Sequence, residues 1–107
     1  MMLQGYKAEL FKALGHPVRI RILEILRQGE QTVSGLQQEL GIEMPSVSQQ
    51  LSVLRARQLV VGRKEGTSVF YSVVDPQVFD LLDTARAMFQ RQLDDLQELA
   101  DADRASE

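Results

Sequence analysis

The chain has 107 residues, a formal net charge of −3 and no cysteine. This length predicts one domain with a modest core. The lack of cysteine excludes a disulfide framework, a thiolate metal site and a thiol redox switch. Because the sequence has no apolar run of membrane-spanning length and no signal peptide, we expect a soluble, cytoplasmic protein without a membrane partner.

The negative charge is concentrated near the C-terminus. Residues 1–74 carry nine Lys/Arg and six Asp/Glu, a net of +3, whereas residues 75–107 carry three Arg and nine Asp/Glu, a net of −6. The sequence pI of about 5.1 therefore does not exclude nucleic-acid binding by the first part of the chain.

Two amphipathic helices are predicted in the N-terminal part. Residues 3–14 carry one apolar stripe, formed by Leu3, Tyr6, Leu10 and Leu14. Gly15 interrupts this helix, and Pro17 suits the first turn of the next one, which Gly29 ends. His16 is the one histidine of the chain. Because no cysteine or second histidine could complete a metal site with it, we predict that it caps or packs at the helix start.

Residues 32–57 are predicted to form two short helices joined by a tight turn. Thr32 is a suitable N-cap for the first helix, and Gly41 suits the left-handed position that would end it. Pro45 fits the first turn of the second helix. The buried face of that helix is predicted to hold Val47, Leu51 and Leu54.

The opposite face of this second helix carries small polar groups. At about 100° per residue, the side chains pointing away from the apolar face are Pro45, Ser48, Gln49, Ser52 and Ala56. Ser46, Gln50 and Arg55 flank them. No Asp or Glu occurs from Met44 to Lys64. Such a face suits a DNA groove, which requires groups that bond base edges and nothing that repels phosphate. The alternative is an ordinary solvated helix.

A β-hairpin is predicted directly after this pair of helices. Two β-branched and aromatic runs, beginning at Leu59 and ending at Val73, flank a turn that contains Gly66. The residues at or near its tip are Arg63, Lys64, Thr67 and Ser68. A helix–turn–helix followed by a hairpin with a basic tip predicts a winged helix, whose wing reaches the DNA backbone or minor groove.

A long final helix is predicted from about Gln77 to about Leu99, with Asp75 as its N-cap and Pro76 in its first turn. Its apolar residues recur at spacings of three and four: Val78, Leu82, Ala85, Phe89, Leu93, Leu96 and Ala100. A helix of roughly 35 Å is too long for so small a domain to cover. We therefore expect it to pair with its own copy in a homodimer. The alternative is packing on its own domain only.

Three segments of the chain carry a resemblance to a known family: residues 11–23, residues 47–55 and the hairpin over residues 59–73. In these segments, and over roughly residues 5–95, the chain resembles the ArsR/SmtB family of small bacterial winged-helix repressors. The resemblance implies a homodimer that binds a palindromic operator and releases it when an inducer binds. It also implies that the first helix packs at the dimer interface, with core packing as the alternative or additional role of its apolar stripe. The predicted interface residues on the first and last helices are Leu3, Tyr6, Leu10, Leu82, Ala85, Phe89, Leu93 and Leu96.

Metal-sensing members of that family use ligands that this chain lacks. Where one site type places cysteines before the recognition helix, Thr32 and Ser34 stand here, and hydroxyls do not replace thiolates for a soft metal. A second site type uses Asp-x-His and His-x-x-Glu on the last helix. Counted from Asp80 the later positions are Leu82, Leu93 and Leu96, and counted from Asp83 they are Ala85, Leu96 and Leu99. We therefore predict no metal and no cofactor. We expect release by a non-metal signal, with a small organic effector as one possibility.

Three acidic residues of the last helix leave one alternative to the absence of a metal site. A weak hard-cation site at Asp94, Asp95 and Glu98 is less consistent with the pattern than a solvated acidic face.

The chain also departs from the family pattern at and after the recognition helix. Gln50 stands where the family often has histidine, and Arg57-Gln58 replaces Ala-Gly. The missing glycine costs up to about 1 kcal/mol if that residue is left-handed.

These patterns together predict a mainly α fold, a winged helix–turn–helix with about five helices and a two-stranded wing. Residues 1–100 would form the DNA-binding and dimerisation domain, and residues 101–107 an acidic frayed tail. The predicted contacts to a double-stranded DNA operator are Pro45, Ser46, Ser48, Gln49, Ser52, Arg55, Arg57, Arg63, Lys64, Thr67 and Ser68. The predicted function is a sequence-specific transcriptional regulator, foremost a homodimeric repressor. The alternative is a winged-helix docking module for proteins. No catalytic constellation is present, so no enzyme activity is predicted.

Overall fold

The computed structural model describes residues 2–106. Met1, the first residue of the predicted domain, and Glu107, the last residue of the predicted tail, lie outside the described residues. The elements in chain order are α1 (Leu3–Leu14), α2 (Pro17–Leu26), α3 (Val33–Leu40), α4 (Met44–Ala56), β1 (Val60–Glu65), β2 (Ser68–Val73) and α5 (Val78–Ala105). This order confirms the predicted helices and hairpin. The chain forms two compact units, one ending at Pro76 and one beginning at Gln77.

Local side-chain signals set the helix boundaries of the first unit. The His16 Nδ1 atom accepts a hydrogen bond of 3.1 Å from the Val18 N–H and caps α2. The Thr32 hydroxyl accepts one of 3.1 Å from the Gly35 N–H and caps α3. Gly41 has a φ of 68° and donates its N–H to the Gln37 carbonyl at 2.8 Å, which ends α3. The predicted roles of these three residues are confirmed.

The core of the first unit is formed by α2, α3 and α4. Its largest fully buried side chains are Ile22, Leu23, Leu36, Val47, Leu51 and Leu54. The last three are the predicted apolar face of α4, which is confirmed. Because this face is buried, the orientation of α4 is set by packing, and its opposite face must point to solvent.

β1 and β2 form an antiparallel hairpin that runs from the pair Val60–Val73 to the pair Glu65–Ser68. The two-residue turn has Gly66 first, with a φ of 63°, which is the pattern of a type II′ turn. On its other side β2 pairs with the α2–α3 connection. The Tyr71 N–H donates to the Gln31 carbonyl at 2.8 Å, and the Gln31 N–H donates to the Tyr71 carbonyl at 3.2 Å.

The boundaries of α5 correct the prediction at both ends. Its first residue is Val78, one residue after the predicted start at about Gln77. The N-cap is Gln77, and the Asp80 N–H donates to its carbonyl at 3.0 Å, so the predicted roles of Asp75 as N-cap and Pro76 in the first turn are wrong. Pro76 instead lies in a turn, a position that suits proline equally well. The helix continues to Ala105, well beyond Leu99, and includes most of the tail predicted to be frayed.

No helix-breaking glycine or proline follows Leu99, which explains the longer helix. In this last part, the Gln97 amide donates to the Asp101 carboxylate at 3.0 Å, and Arg104 lies 3.7 Å from it. The residues of α5 are almost all exposed, with Val78 as its buried residue. None of the described helices combines the length and apolarity that crossing a membrane requires.

Candidate nucleic-acid interface

The outward face of α4 presents short polar side chains without charge. Its exposed residues are Pro45, Ser46, Ser48, Gln49 and Ser52. The Ser52 hydroxyl donates to the Ser48 carbonyl at 3.0 Å, which leaves the oxygen lone pairs of Ser52 as acceptors. The structure thus brings these five predicted residues together on one surface, backed by the buried side chains of Val47, Leu51 and Leu54.

Cationic side chains lie at the C-terminal end of this face. Arg55 is exposed in the last turn of α4, and Arg57 forms an ion pair with Glu9 of α1. The side chains of Arg57 and Glu9 are 45% and 38% exposed. Such exposed pairs contribute only about 0–1 kcal/mol, so Arg57 can exchange Glu9 for a phosphate.

Beside this end of α4 lies an open groove of about 640 Å³ at the base of the wing. Arg55 and Gln58 line it from the helix end, and Lys64 lines it from β1, with an apolar floor that includes Tyr71. The fold therefore brings two predicted phosphate-contacting cations, Arg55 and Lys64, to one groove. Thr67 and Ser68 are exposed at the hairpin turn.

The wing tip is not net basic, which corrects the prediction made from Arg63 and Lys64. The Arg63 guanidinium donates to Glu30 at 2.9 and 3.3 Å and to Glu65 at 2.7 Å. It also lies over the Phe70 ring, 5.3 Å from the centroid. The two carboxylates offset the charges of Arg63 and Lys64. Glu30 lies next to Gln31, whose pairing with Tyr71 brings the α2–α3 connection to the wing.

The ion pairs of Arg63 also act on its ionisation and on that of Glu30. The hydrogen bond from Arg63 holds the pKa of Glu30 below the usual glutamate range. Hydrogen bonds to Glu30 and then to Glu65 raise the pKa of Arg63. Both groups are therefore charged at neutral pH, and the pair persists there.

The structure defines the contacts of one further residue near the interface, Arg19, and the backbone conformation of another, Gln58. Arg19 of α2 donates to Gln50 of α4 at 2.9 Å and to two carbonyls of α1. Gln58, which replaces the family's glycine after α4, has a φ of 59°. It therefore occupies the left-handed region in which a glycine would be favoured.

Possible metal ligands are dispersed among residues 2–106. In that part of the chain, no group of three or more His, Asp or Glu side chains is arranged to hold a metal ion. His16, the one histidine, uses its Nδ1 atom as a helix cap. Thr32 uses its hydroxyl in the same way at α3.

Comparison with known proteins decides the family. Residues 16–60 match the family described as "Bacterial regulatory protein, arsR family". The HTH-type transcriptional regulator Rv0081 of Mycobacterium tuberculosis is 43% identical over 90 residues, which are 83% of this chain and 79% of that relative. The chain belongs to the ArsR family. The chain is also similar to the biofilm growth-associated repressor of Xylella fastidiosa, with 37% identity over 82 residues, 77% of this chain and 72% of that one.

Solved structures agree with this ArsR assignment. The crystal structure of M. tuberculosis Rv0081 matches with a TM-score of 0.79 at 42% identity, over 89% of this chain and 96% of that chain. A Mycobacterium bovis structure, described as the homodimeric winged helix–turn–helix DNA-binding domain of Mb0332, matches with a TM-score of 0.76 at 30% identity, over 85% and 84% of the two chains. The predicted fold and family are confirmed, and the relatives named here are transcriptional regulators.

Proposed function

We propose that this chain is a sequence-specific DNA-binding repressor that acts as a homodimer on a palindromic operator. The observation that carries the proposal is the outward face of α4, where five exposed residues without charge are held by a buried core on the opposite side. Amide and hydroxyl groups of this kind bond base edges, and small side chains allow close approach to the groove. The repressor named among the relatives supports the same function.

The predicted contacts divide into two chemical classes. Ser46, Ser48, Gln49 and Ser52, with Pro45 in the first turn, would face the bases of the major groove. Contacts to the backbone would come from Arg55, Arg57, Arg63, Lys64, Thr67 and Ser68. Among these, Arg55 and Lys64 line one groove, while Arg57 and Arg63 would first have to exchange carboxylate partners for phosphate.

Apolar side chains on two helices support a homodimer. On α1, Leu3 and Tyr6 are 61% and 56% exposed. On α5, the exposed large apolar residues are Leu81, Met88, Phe89, Leu93, Leu96 and Leu99. Apolar surface of this extent marks an interaction site. The predicted interface residues Leu3, Tyr6, Leu10, Leu82, Ala85, Phe89, Leu93 and Leu96 lie on these two helices, and the M. bovis relative is homodimeric.

The signal that releases DNA would not be a metal, because Thr32 and Ser34 provide hydroxyls where thiolates would be needed. A small organic effector remains the proposed alternative to a metal. We further propose that the chain acts in the cytoplasm and has no enzymatic activity, as expected of a regulator whose relatives are named for transcription control.

Fluorescence anisotropy tests the proposed function. The purified protein is titrated onto the DNA upstream of its own gene and onto a scrambled duplex, at two salt concentrations. Each titration is repeated with zinc and with a chelator. We expect tighter binding to the upstream DNA that weakens with salt and does not respond to zinc. Equal binding to both duplexes would contradict specific recognition and favour the protein-docking alternative. Release by zinc would contradict the non-metal signal.

A further inference from the structure

Arg19 connects three helices through one guanidinium group. Its Nε atom donates to the Ala13 carbonyl at 2.6 Å, and one terminal nitrogen donates to the Lys12 carbonyl at 3.1 Å. The other terminal nitrogen donates to the Gln50 side-chain oxygen at 2.9 Å. Arg19 itself lies near the start of α2, so α1, α2 and α4 meet at this group.

The bonds to α1 go to carbonyls of its last turn, of which the Lys12 carbonyl also accepts the Gly15 N–H at 3.1 Å. The last four carbonyls of a helix lack N–H partners within it, and Lys12 and Ala13 belong to the last turn of α1. A cation at a helix C-terminus is also favoured by the helix dipole. A guanidinium is planar, with donors in a fixed fork, so two bonds to α1 define the direction in which the third bond can be made.

That third bond holds a residue at the edge of the candidate DNA-contacting face. Gln50 is half-buried and directly follows Gln49, the central polar residue of that face. When Arg19 holds the amide oxygen, the amide nitrogen is the end that can donate to an outside acceptor. Arg19 thus restricts both the Gln50 side chain and the position of α4 relative to the end of α1.

A second polar link supports the same connection. Glu9 of α1 forms an ion pair with Arg57, which caps the C-terminal end of α4. The two links, Arg19 with Gln50 and Glu9 with Arg57, join α1 to the middle and to the end of α4. Neither link occupies the outward face that holds Ser48, Gln49 and Ser52.

We infer that Arg19 is a positioning residue for DNA recognition: acting through Gln50, it holds the recognition helix against the end of α1. The inference rests on the proposed DNA-binding function. It predicts that an arginine on α2, away from the outward face of α4, affects how strongly one DNA sequence is preferred over another.

A double-mutant cycle tests this inference. Dissociation constants for upstream and scrambled DNA are measured for the full chain and for Arg19→Met, Gln50→Leu and the double variant. The preference is the ratio of the two constants. We expect each single variant to reduce this ratio about tenfold. A change of this size is near the smallest free-energy contribution of a hydrogen bond to a charged group. The double variant should lose less than the sum of the two single losses, because both changes remove the Arg19–Gln50 hydrogen bond.

Two further variants separate geometry from charge and from folding. Arg19→Lys keeps the charge but lacks the fork, so the preference should still fall. Arg21→Met removes a cation from an exposed position of the same helix and should leave the preference unchanged. Thermal unfolding is recorded for every variant. If Arg19→Met does not fold, Gln50→Leu alone must still lower the preference, and an unchanged preference there overturns the inference.

The remaining outcomes are distinct. Equal weakening on both duplexes, or losses that add in the double variant, would show that Arg19 only stabilises the fold and would overturn the inference while leaving the proposed function intact. A wild-type protein that does not distinguish the two duplexes would overturn the proposed function, and this inference with it.

Discussion

The recognition helix α4 and the wing are both proposed to contact DNA, but different parts of the chain determine their surfaces. The outward face of α4 follows from its own sequence, because packing of Val47, Leu51 and Leu54 leaves Ser48, Gln49 and their neighbours exposed. The charge of the wing depends on Glu30, which is 33 residues before Arg63 in the chain.

Because of this difference, we expect α4 and the wing to contribute differently to DNA binding. α4 offers neutral donors and acceptors that can distinguish base pairs. On the wing, Arg63 is engaged by Glu30 and Glu65, so this guanidinium contributes little net attraction to phosphate. Sequence preference should therefore depend on α4, and the salt dependence of binding should depend mainly on Arg55 and Lys64, which line one groove.

The largest expected effect comes from the inner face of α4. Leu51 is 2% exposed, so Leu51→Ala should lower the free energy of unfolding by about 2–5 kcal/mol. Denaturant unfolding at a fixed protein concentration measures the change. The adjacent and exposed Ser52→Ala should shift the unfolding free energy by less than about 0.5 kcal/mol. Equal costs for the two variants would show that the helix is not anchored by this face.

The next effect concerns the outer face of the same helix. Gln49→Ala should weaken binding to the upstream DNA by about 1–3 kcal/mol and leave binding to scrambled DNA unchanged, because an amide that bonds a base edge is lost. Anisotropy titrations on both duplexes measure this. Gln28→Ala, at an exposed glutamine after α2, is the matched control. An equal loss on both duplexes would remove Gln49 from the set of base contacts.

A smaller effect is expected at the junction between α4 and the wing. Gln58 has a φ of 59°, so Gln58→Gly should raise the free energy of unfolding by up to about 1 kcal/mol. The free energy of unfolding of Gln58→Asn should lie between those of the wild type and Gln58→Gly, since asparagine tolerates this conformation better than glutamine. Thermal and denaturant unfolding rank the three proteins. A glycine variant less stable than the wild type would mean that the Gln58 side chain outweighs its backbone strain.

The smallest effect is expected in the wing. Glu30→Gln removes one carboxylate from Arg63 and should tighten binding to both duplexes by about two- to fivefold, within the range of an exposed ion pair. The slope of log Kd against log salt should steepen by at most about 0.9, the value for one added phosphate contact. Glu24→Gln, at an exposed site on α2, is the control.

Weaker binding by Glu30→Gln would show that Glu30 supports the DNA-bound wing.

The pH dependence of the stabilisation from the Glu30–Arg63 pair follows from the lowered pKa of Glu30. The stabilisation from its pair with Arg63 is complete above the ordinary glutamate pKa and is lost only as the pH falls through the lowered value, so it does not vary near neutral pH.

The sequence predicted those features that depend on neighbouring residues. Thr32, Gly41 and Pro45 carry cap and first-turn preferences within one or two residues of the boundaries they mark, and the helices begin and end there. Asp75-Pro76 shows the limit of such signals, because proline suits a turn as well as a first helical turn, and α5 begins later. The end of α5 was placed too early because no residue after Leu99 signals a stop.

Features that depend on distant residues could not be predicted in this way. Arg19 and Gln50 are 31 residues apart, and no periodic pattern relates them. Glu30 has no apparent role in the sequence, because its link to Arg63 requires both the α2–α3 connection and the register of the hairpin. Side-chain type and spacing therefore predicted the members of the proposed DNA-contacting surface, while the partners that orient or neutralise them could be identified only from the fold.

The central claim, that α4 contacts base edges in the major groove, is tested most directly by dimethyl sulfate protection of the bound upstream DNA. The reagent methylates guanine N7, which lies in the major groove. We predict two clusters of protected guanines about ten base pairs apart, because the two recognition helices of such a dimer enter successive turns of the major groove. Guanines that remain fully reactive throughout the site, at protein concentrations that saturate the DNA, would contradict the claim.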